Sequence, residues 1–599
     1  VSPFLRSAGD DPVRPHPEAP IRVSVNGESV EALPGQTVAA ALLAGGQDSW
    51  RTTRAAGRPR GVFCGIGACF DCLVVVNGIP DVRACQRILA DGDTITTQLG
   101  AALPPAAEQT WTKPHSGASL DQAAGVVVVG AGPAGSAAAL VAADAGVDVL
   151  LVDAAPAVGG QFHRQLPAEF HAERPEQVQH GWSGFAALRE RIKQHERITH
   201  LAETSVWAIE PVGGSTHRLR LQTGPADAPG RRMSTVDTRA LVLATGAYDR
   251  VLPFPGWDLP GVYAAGAAQA LAKGQRVAVG KRVLLAGTGP FLLPVTESLL
   301  GVGAEVVGLL DANRPDAVLK GWLTDPLVAS GKFREAAAYG ALLARHRIRL
   351  QHGRTVIAAH GADRVESVTV ARLDRDWRPL PGTERRIEVD AVCLGFGFTA
   401  QLELAVSARC ELGAGPDGGP AVMVDEHQQT SVPGVFAAGE LTGIGGADLA
   451  AAEGRVAGAA AASTVVAGSP APEDQRAVVK GKRFAAALAK AYPIKPGWQS
   501  WSTGSTLVCR CEEVTRDDLR DAVVERDVLG TRSLKLSSRA GLGLCQGRVC
   551  SRTVAELAAA DRPGVRADIV ASARRPIAVP VRLRDLADTP EPNDSQEEQ

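Results

Sequence analysis

No uninterrupted run of about 20 apolar residues occurs anywhere in the 599 residues, so nothing reads as a membrane-spanning helix. Residues 447–467, an Ala-rich stretch, come closest, but Asp448, Glu453 and Arg455 interrupt it. Strong charge of one sign is missing as well. The formal net charge is −2 and no basic stripe is visible, which leaves no field to gather nucleic acid or an anionic lipid surface. Aromatic residues make up 4%. The first 20 residues, VSPFLRSAGDDPVRPHPEAP, contain no hydrophobic signal core and read as a disordered lead. The acidic end, 588–599, reads as a disordered tail. A cytoplasmic location is expected, with attachment to the inner-membrane face left open. No Ser/His/Asp or paired-carboxylate spacing can be argued, so no catalytic residue is assigned.

Against these absences stand 65 glycines and ten cysteines. Eight cysteines fall into two tight quartets, leaving Cys393 and Cys410 over. A secreted disulfide framework scatters its cysteines through a short chain, whereas clustered quartets in a long α/β chain point to metal or iron–sulfur sites. The length predicts several domains rather than one core.

The segment Val126–Asp153, VVVVGAGPAGSAAALVAADAGVDVLLVD, reads as strand, glycine turn, helix, strand and acid. Gly130, Gly132 and Gly135 fall on a G-x-G-x-x-G spacing. The first allows a sharp turn, the second a close approach to a pyrophosphate, and the third close helix–strand packing. Pro133 and Ala134 open the helix, whose N–H groups and positive end face the phosphates. Asp153 stands where an acid can bond a ribose hydroxyl.

Three later stretches decide which dinucleotide is expected. Gly159-Gly160-Gln161 follow the acid, as in flavoproteins. LVLATGAYDR (241–250) and VPGVFAAGELTG (432–443) resemble the later FAD-contacting segments of the two-dinucleotide-domain flavoprotein reductases. That resemblance implies FAD contacts at Gly160, Gln161, Thr245, Gly246, Gly439 and Glu440. Glu440 stands where an acid, more commonly Asp, bonds the ribityl chain, and Val206 where backbone meets the adenine. Arg164 can hold a phosphate or the flavin edge, or form a surface salt bridge; both readings stay open. The body has no C-x-x-C, which excludes a thioredoxin-reductase dithiol beside the flavin. Cys393, on an apolar strand, reads as a buried small hydrophobe.

Ahead of this body, VFCGIGACFDCLVVVNGIPDVRAC places Cys64, Cys69, Cys72 and Cys85 on a C-x4-C-x2-C-x12-C spacing. The first three match a plant-type ferredoxin loop, and the opening hairpin and helix 38–44 suit a β-grasp domain holding a 2Fe–2S cluster. Zinc is the alternative. Near the other end, Cys509, Cys511, Cys545 and Cys550 lie on C-x-C-x33-C-x4-C. This resembles the small helical bacterioferritin-associated-ferredoxin-like (BFD-like) 2Fe–2S domain, although that family often closes with C-x2-C. Structural zinc again suits four thiolates.

Residues 280–312 form a second strand–turn–helix–strand unit ending at Asp311, but Leu292 stands where the third glycine belongs. Either it binds NAD(P)H or it keeps the fold without the ligand; the incomplete motif argues for the second, so NAD is not expected.

The expected architecture is α/β multidomain. Its parts are a disordered lead (1–20), a β-grasp 2Fe–2S ferredoxin-like domain (21–100), a linker (101–123), an FAD domain (124–255 and 385–468), an inserted NAD-binding-like domain (256–384), a connector (469–504), a BFD-like 2Fe–2S domain (505–587) and the tail. This order, with GTGPFLL and GLCQGRVC, resembles the FAD and iron–sulfur subunits of hydrogen cyanide synthase, opine oxidases and dye-linked proline or hydroxyproline dehydrogenases. The sarcosine oxidase α subunit is a cousin that carries a folate-type C-terminal domain, before which this chain stops. The resemblance implies FAD, two 2Fe–2S clusters, room for FMN at a subunit interface, and a partner flavoprotein resembling D-amino-acid oxidase that oxidises a C–N bond. Electrons would pass to a quinone, cytochrome or dye, with a cluster as an entry or exit wire on each side of the flavin. Two rival readings are a self-sufficient NAD(P)H oxidoreductase and a non-enzymatic iron–sulfur carrier.

Overall fold

The computed structural model describes residues 10–102, 125–179, 181–466, 472–562, 567–575 and 578–587. Most of the expected linker, the acidic tail, residues 1–9 and part of the connector lie outside them.

The front domain is a five-stranded mixed sheet in the order 28–32, 21–25, 94–96, 73–76, 79–83. Ile21–Val25 pairs in parallel with Thr94–Thr96, and the remaining pairs are antiparallel. Helix Val38–Ala44 lies across it with all its residues buried, started by Thr37, whose hydroxyl accepts from Ala40 N. An uncapped seven-residue helix would be marginal, and here packing and the cap hold it.

The body has two parallel five-stranded sheets. The first runs 198–201, 149–152, 126–129, 241–243, 435–437; Val126–Val129 and Val149–Val152 are buried throughout, as strands covered on both faces require. The second runs 262–264, 391–395, 282–287, 305–311, 350–352. The chain leaves the first sheet through Ala247–Asp249 and returns through Phe398–Ala400, and these two short strands pair with each other.

Three boundaries differ from expectation. Ala391–Gly395 belongs to the second sheet, so the inserted domain ends near 396 and not at 384; Cys393 is buried there. Residues 10–20 are not a disordered lead. Asp11 is buried and accepts from Arg276 Nε and Nη2 at 2.9 and 2.7 Å, and Val13 is 0% exposed. A buried ion pair of that geometry ties the segment to the body. The connector contains a 20-residue helix, Pro472–Ala491, packed against Pro315–Trp322 where Gly321 leaves no room for a side chain beside Ala491.

The C-terminal domain is a short hairpin, Leu507–Cys509 and Val514–Thr515, followed by helices Arg516–Val524, Thr531–Ser538, Ser551–Ala560, Ile569–Ser572 and Leu583–Ala587. A reciprocal capping box between Thr515 and Asp518 starts the first helix. Buried residues of the front domain, the inserted domain and this C-terminal domain merge into one continuous core.

Candidate cofactor sites

The first dinucleotide site lies at the carboxyl ends of the first sheet. A Cβ on Gly135 would stand 1.7 Å from the Gly130 carbonyl oxygen, so helix Pro133–Asp144 meets its strand at a distance that excludes any side chain. Gly160 has φ +61°, and a Cβ there would lie 2.8 Å from Gly132 Cα; the two glycines face each other across a slot bare of side chains. No side chain caps the helix, which begins with Pro133 and Ala134.

Around this slot gather Thr245 and Gly246, whose strand also abuts Gly130, and Gly439, which packs on Ala134. Thr245 Oγ1 donates to the Gln401 carbonyl at 2.7 Å. Asp153 accepts from Ala131 N at 2.5 Å and Ala155 N at 2.7 Å, so both oxygens already hold the turn. Burial raises its pKa against the pull of those donors. Glu440 accepts from Gly446 N through Oε1 at 2.7 Å. Its Oε2 is buried with no partner among the described residues, and burial pushes the carboxyl up to about 7. A glycine slot that a Cβ would fill and an orphaned buried carboxyl oxygen both fit a bound FAD, the slot its pyrophosphate and the oxygen a hydroxyl of its chain.

Val206 is buried in the three-stranded sheet at a bulge before Ala208, in one core with Val127, Val129, Leu150 and Val152 of the first sheet. Gln161 accepts from Arg164, and the Arg164 stem packs on Gly274. The helix that carries Gly274, Ala265–Gln275, lies with Ala267 against Gly65 of the front cysteine loop, where a Cβ would stand 2.9 Å from Ala267 Cα, so the segment carrying Gly160, Gln161 and Arg164 and that loop meet on one helix. Glu453 escaped the sequence reading. It is buried and accepts from Gly439 N at 2.9 Å and Thr442 Oγ1 at 2.8 Å, fixing the turn that carries Glu440. An acid on the inner face of an Ala-rich helix was the available signal.

Both cysteine quartets converge. In the front loop Cys64 contacts Cys69 and Cys85, and Cys85 contacts Cys72. Ala68 N and Cys69 N donate to Cys64 Sγ at 3.3 and 3.4 Å. Those contacts draw the Cys64 thiol well below its ordinary value, while burial and the neighbouring thiols lift Cys69 and Cys85. In the C-terminal domain Cys511 Sγ lies 3.8 Å from Cys509 Sγ and 3.6 Å from Cys545 Sγ, and Cys550 contacts Cys509 and Cys545. Gly543 lies against Cys511, where a Cβ would stand 2.5 Å from the sulfur. Two thiolates on one tetrahedral iron, with bonds of about 2.3 Å, lie roughly 3.8 Å apart, so each close pair fits one iron of a two-iron cluster, in which no ion takes more than two of the thiolates. Among the described residues no group of three or more His, Cys, Asp or Glu is placed to hold a single metal ion; the quartets are sets of converging thiols. Cys393 and Cys410 are buried elsewhere.

In the second dinucleotide-like unit the acid is held by its own neighbours, while the turn glycine, Gly289, has nothing within 4 Å of where a Cβ would stand. Asp311 accepts from Thr288 Oγ1 at 3.0 Å and Asn313 N at 2.9 Å. Asn313 Nδ2 donates to Thr288 Oγ1 at 2.7 Å and to the connector's Pro493 carbonyl at 3.2 Å.

Among known proteins, residues 124–462 match the pyridine nucleotide-disulphide oxidoreductase family, 18–100 the 2Fe-2S iron-sulfur cluster binding domain, and 507–560 the BFD-like [2Fe-2S] binding domain. The A subunit of opine oxidase from Agrobacterium tumefaciens (strain Ach5) is 33% identical over 485 residues, 78% of this chain and 92% of that protein. The HcnB subunit of hydrogen cyanide synthase from Pseudomonas protegens is 31% identical over 437 residues, 71% of this chain and 89% of its own length. The crystal structure of L-proline dehydrogenase from P. horikoshii superimposes with a TM-score of 0.71, covering 98% of this chain and 100% of that one at 20% identity, which is a likeness of fold. No helix among the described residues is long and apolar enough to cross a membrane.

Proposed function

Because the chain belongs to the pyridine nucleotide-disulphide oxidoreductase family, in the branch of the opine oxidase A and hydrogen cyanide synthase HcnB subunits, we propose that it is the electron-transfer subunit of an enzyme that oxidises an amine or amino acid. FAD would lie on Gly130, Gly132, Gly135, Gly160 and Glu440, and a 2Fe–2S cluster on each cysteine quartet. A flavin takes up two electrons and a 2Fe–2S cluster one. A second flavoprotein subunit, of the D-amino-acid-oxidase kind, would break the substrate C–N–H bonds and pass the electrons to this chain. The relatives' names as lettered subunits support a partner. The carrying observation is the arrangement of one glycine slot and two thiol quartets in a single body, with helix Ala265–Gln275 touching both the Arg164 stem and Gly65 of the front cysteine loop.

The chain's own residues serve this role in three ways. Asp153 and Glu453 hold the turns that shape the slot. Backbone N–H groups point at Cys64 Sγ, where they stabilise negative charge on sulfur. Burial of seven of the eight quartet thiols keeps water away, Cys511 alone being half-buried. What tells against the rival NAD(P)H reading is Leu292 in the third glycine's place of the second unit, where Asn313 also donates to the connector's Pro493 carbonyl.

The test is donor specificity. The complex is purified from its native host and the flavin absorbance is followed after adding NADH, then after adding candidate amines such as proline, sarcosine or an opine. Loss of flavin absorbance with an amine and none with NADH is expected. Prompt bleaching by NADH in the chain free of any partner overturns the reading.

A further inference from the structure

The two thiol quartets do not flank the dinucleotide slot; they share an interface. Arg510, between Cys509 and Cys511, reaches Asp71, between Cys69 and Cys72. Arg510 Nε donates to Asp71 Oδ2 at 2.6 Å, with the side chains 5% and 2% exposed. These partners are 439 positions apart in the chain. The same guanidinium donates to the Trp257 carbonyl at 2.6 Å, and lies over the ring of Phe63, the residue before Cys64, at 4.0 Å and over Trp257 at 4.9 Å. Beside this clamp, Phe70 and Leu73 of the front loop pack directly on Cys511 and Cys545. Phe70 is the chain neighbour of Cys69, so a ring and one peptide link separate a thiol of one quartet from thiols of the other.

The contact is fenced on its outer side. Glu513 accepts from Thr53 Oγ1 at 2.7 Å and from Ala55 N and Ala56 N at 3.0 and 3.1 Å, and Glu512 accepts from Arg54 Nη2 at 3.0 Å. Each of these residues lies within two positions of Cys511 or in the front domain's 53–56 turn, so the C-terminal domain is fastened where its thiols approach the other set. Such a fit is more than two domains need merely to stay together, and a buried ion pair contributes little net stability. What it does fix is distance and charge.

We propose that the two quartets hold a single two-step relay, in which Arg510 positions the C-terminal cluster against the front one and electrons cross between them at the Phe70–Cys511 contact. The proposal rests on reading both quartets as cluster ligands. In the crossing, one electron leaves the front site, which is oxidised by one, and enters the C-terminal site, which is reduced by one; no bond breaks and no proton need move. The front site takes its electron from the flavin side, where helix Ala265–Gln275 touches Gly65 of the front cysteine loop through Ala267 and the Arg164 stem through Gly274. Cys511, partly exposed while the other seven quartet thiols are buried, marks the C-terminal site as the exit. Arg510 also sets the potentials of both sites, since a buried cation favours the reduced, more negative form of a cluster.

The test is electron paramagnetic resonance on the full-length holoprotein, with iron and sulfide measured first. The spectrum after complete reduction with dithionite should be split or broadened beyond the sum of the two half-reduced signals, because paired spins at short range interact. Arg510→Gln should lower both midpoint potentials and weaken that splitting; Arg510→Lys, which keeps the charge but not the planar fork, should restore the potentials more than the splitting. Dithionite acts without any partner or amine, so the outcome is independent of the donor. Iron-loaded protein whose fully reduced spectrum is the plain sum of two signals overturns the relay while leaving the proposed function standing. Zinc in place of iron overturns both. If Arg510→Gln fails to fold, the native spectrum and the Lys variant decide.

Discussion

Glu440 shows how much a single side chain carries. Its carboxyl is pushed by burial to about 7, against an ordinary 4.5. A raised pKa means the folded chain binds the proton more tightly than the unfolded one. The resulting stabilisation is complete below about pH 4.5 and is lost as pH rises through about 7. Discounted for partial exposure, the loss is on the order of 1–3 kcal/mol. In flavin-free protein, Glu440→Gln should therefore be nearly neutral at pH 5 and stabilising at pH 8. Denaturant midpoints at the two pH values check this, and an equal effect at both would refute it. The acid itself was legible from its place after the AAG turn. Its support by Glu453 was not, because Glu453 stands 13 positions further along and meets the turn only when helix Ala447–Ser463 folds back.

The elements around the slot depend on side chains that are absent. Gly135→Ala would set a methyl 1.7 Å from the Gly130 carbonyl oxygen, so helix Pro133–Asp144 must move. Overpacking of that kind costs about 1–3 kcal/mol, and if it falls on the bound form, flavin affinity drops roughly tenfold to a hundredfold. Gly184→Ala, in a helix with nothing within 4 Å of the new methyl, should leave flavin content unchanged; titration of apoprotein with FAD measures both. The Ala-rich stretch near 447–467, closest of all to an apolar span, has the same logic. Gly454 and Gly458 admit the backbone of Ala134 and Ala138 at distances where no Cβ fits. Small residues at that spacing say that a backbone comes close, but not which one.

In the whole molecule, the cysteine spacings foretold two thiol sites and the domain order, while the route between the sites stayed hidden. Cys511→Ser should remove one cluster only, taking iron from about four atoms per chain to about two. Cys410→Ser, far from either quartet, should leave iron unchanged. Iron and sulfide analysis of the two purified variants reads this directly, and full iron retention in Cys511→Ser would dismiss the C-terminal quartet as a cluster site. The expectation of a cluster on each side of the flavin came from chain order, with the flavin body in the middle. The fold instead brings the two cysteine domains together beside the inserted domain, where Arg60 and Arg58 meet Asp258 and Arg510 meets Asp71.

Local spacing determined the geometry that neighbours in the chain can complete unaided: glycine turns that open a helix, C-x4-C and C-x-C loops, a capping box, a missing third glycine at Leu292. Each of these depends on groups within a few residues of one another, so the pattern is written where it acts. The adjacency of the quartets, the burial of Asp11 on Arg276, the closing of the Asp311 corner by Pro493 and the support of Glu440 by Glu453 came from the folded chain alone. They pair groups brought together by the packing of whole sheets and helices, and burial then sets their charge; no spacing along the chain encodes which distant partner that packing will supply.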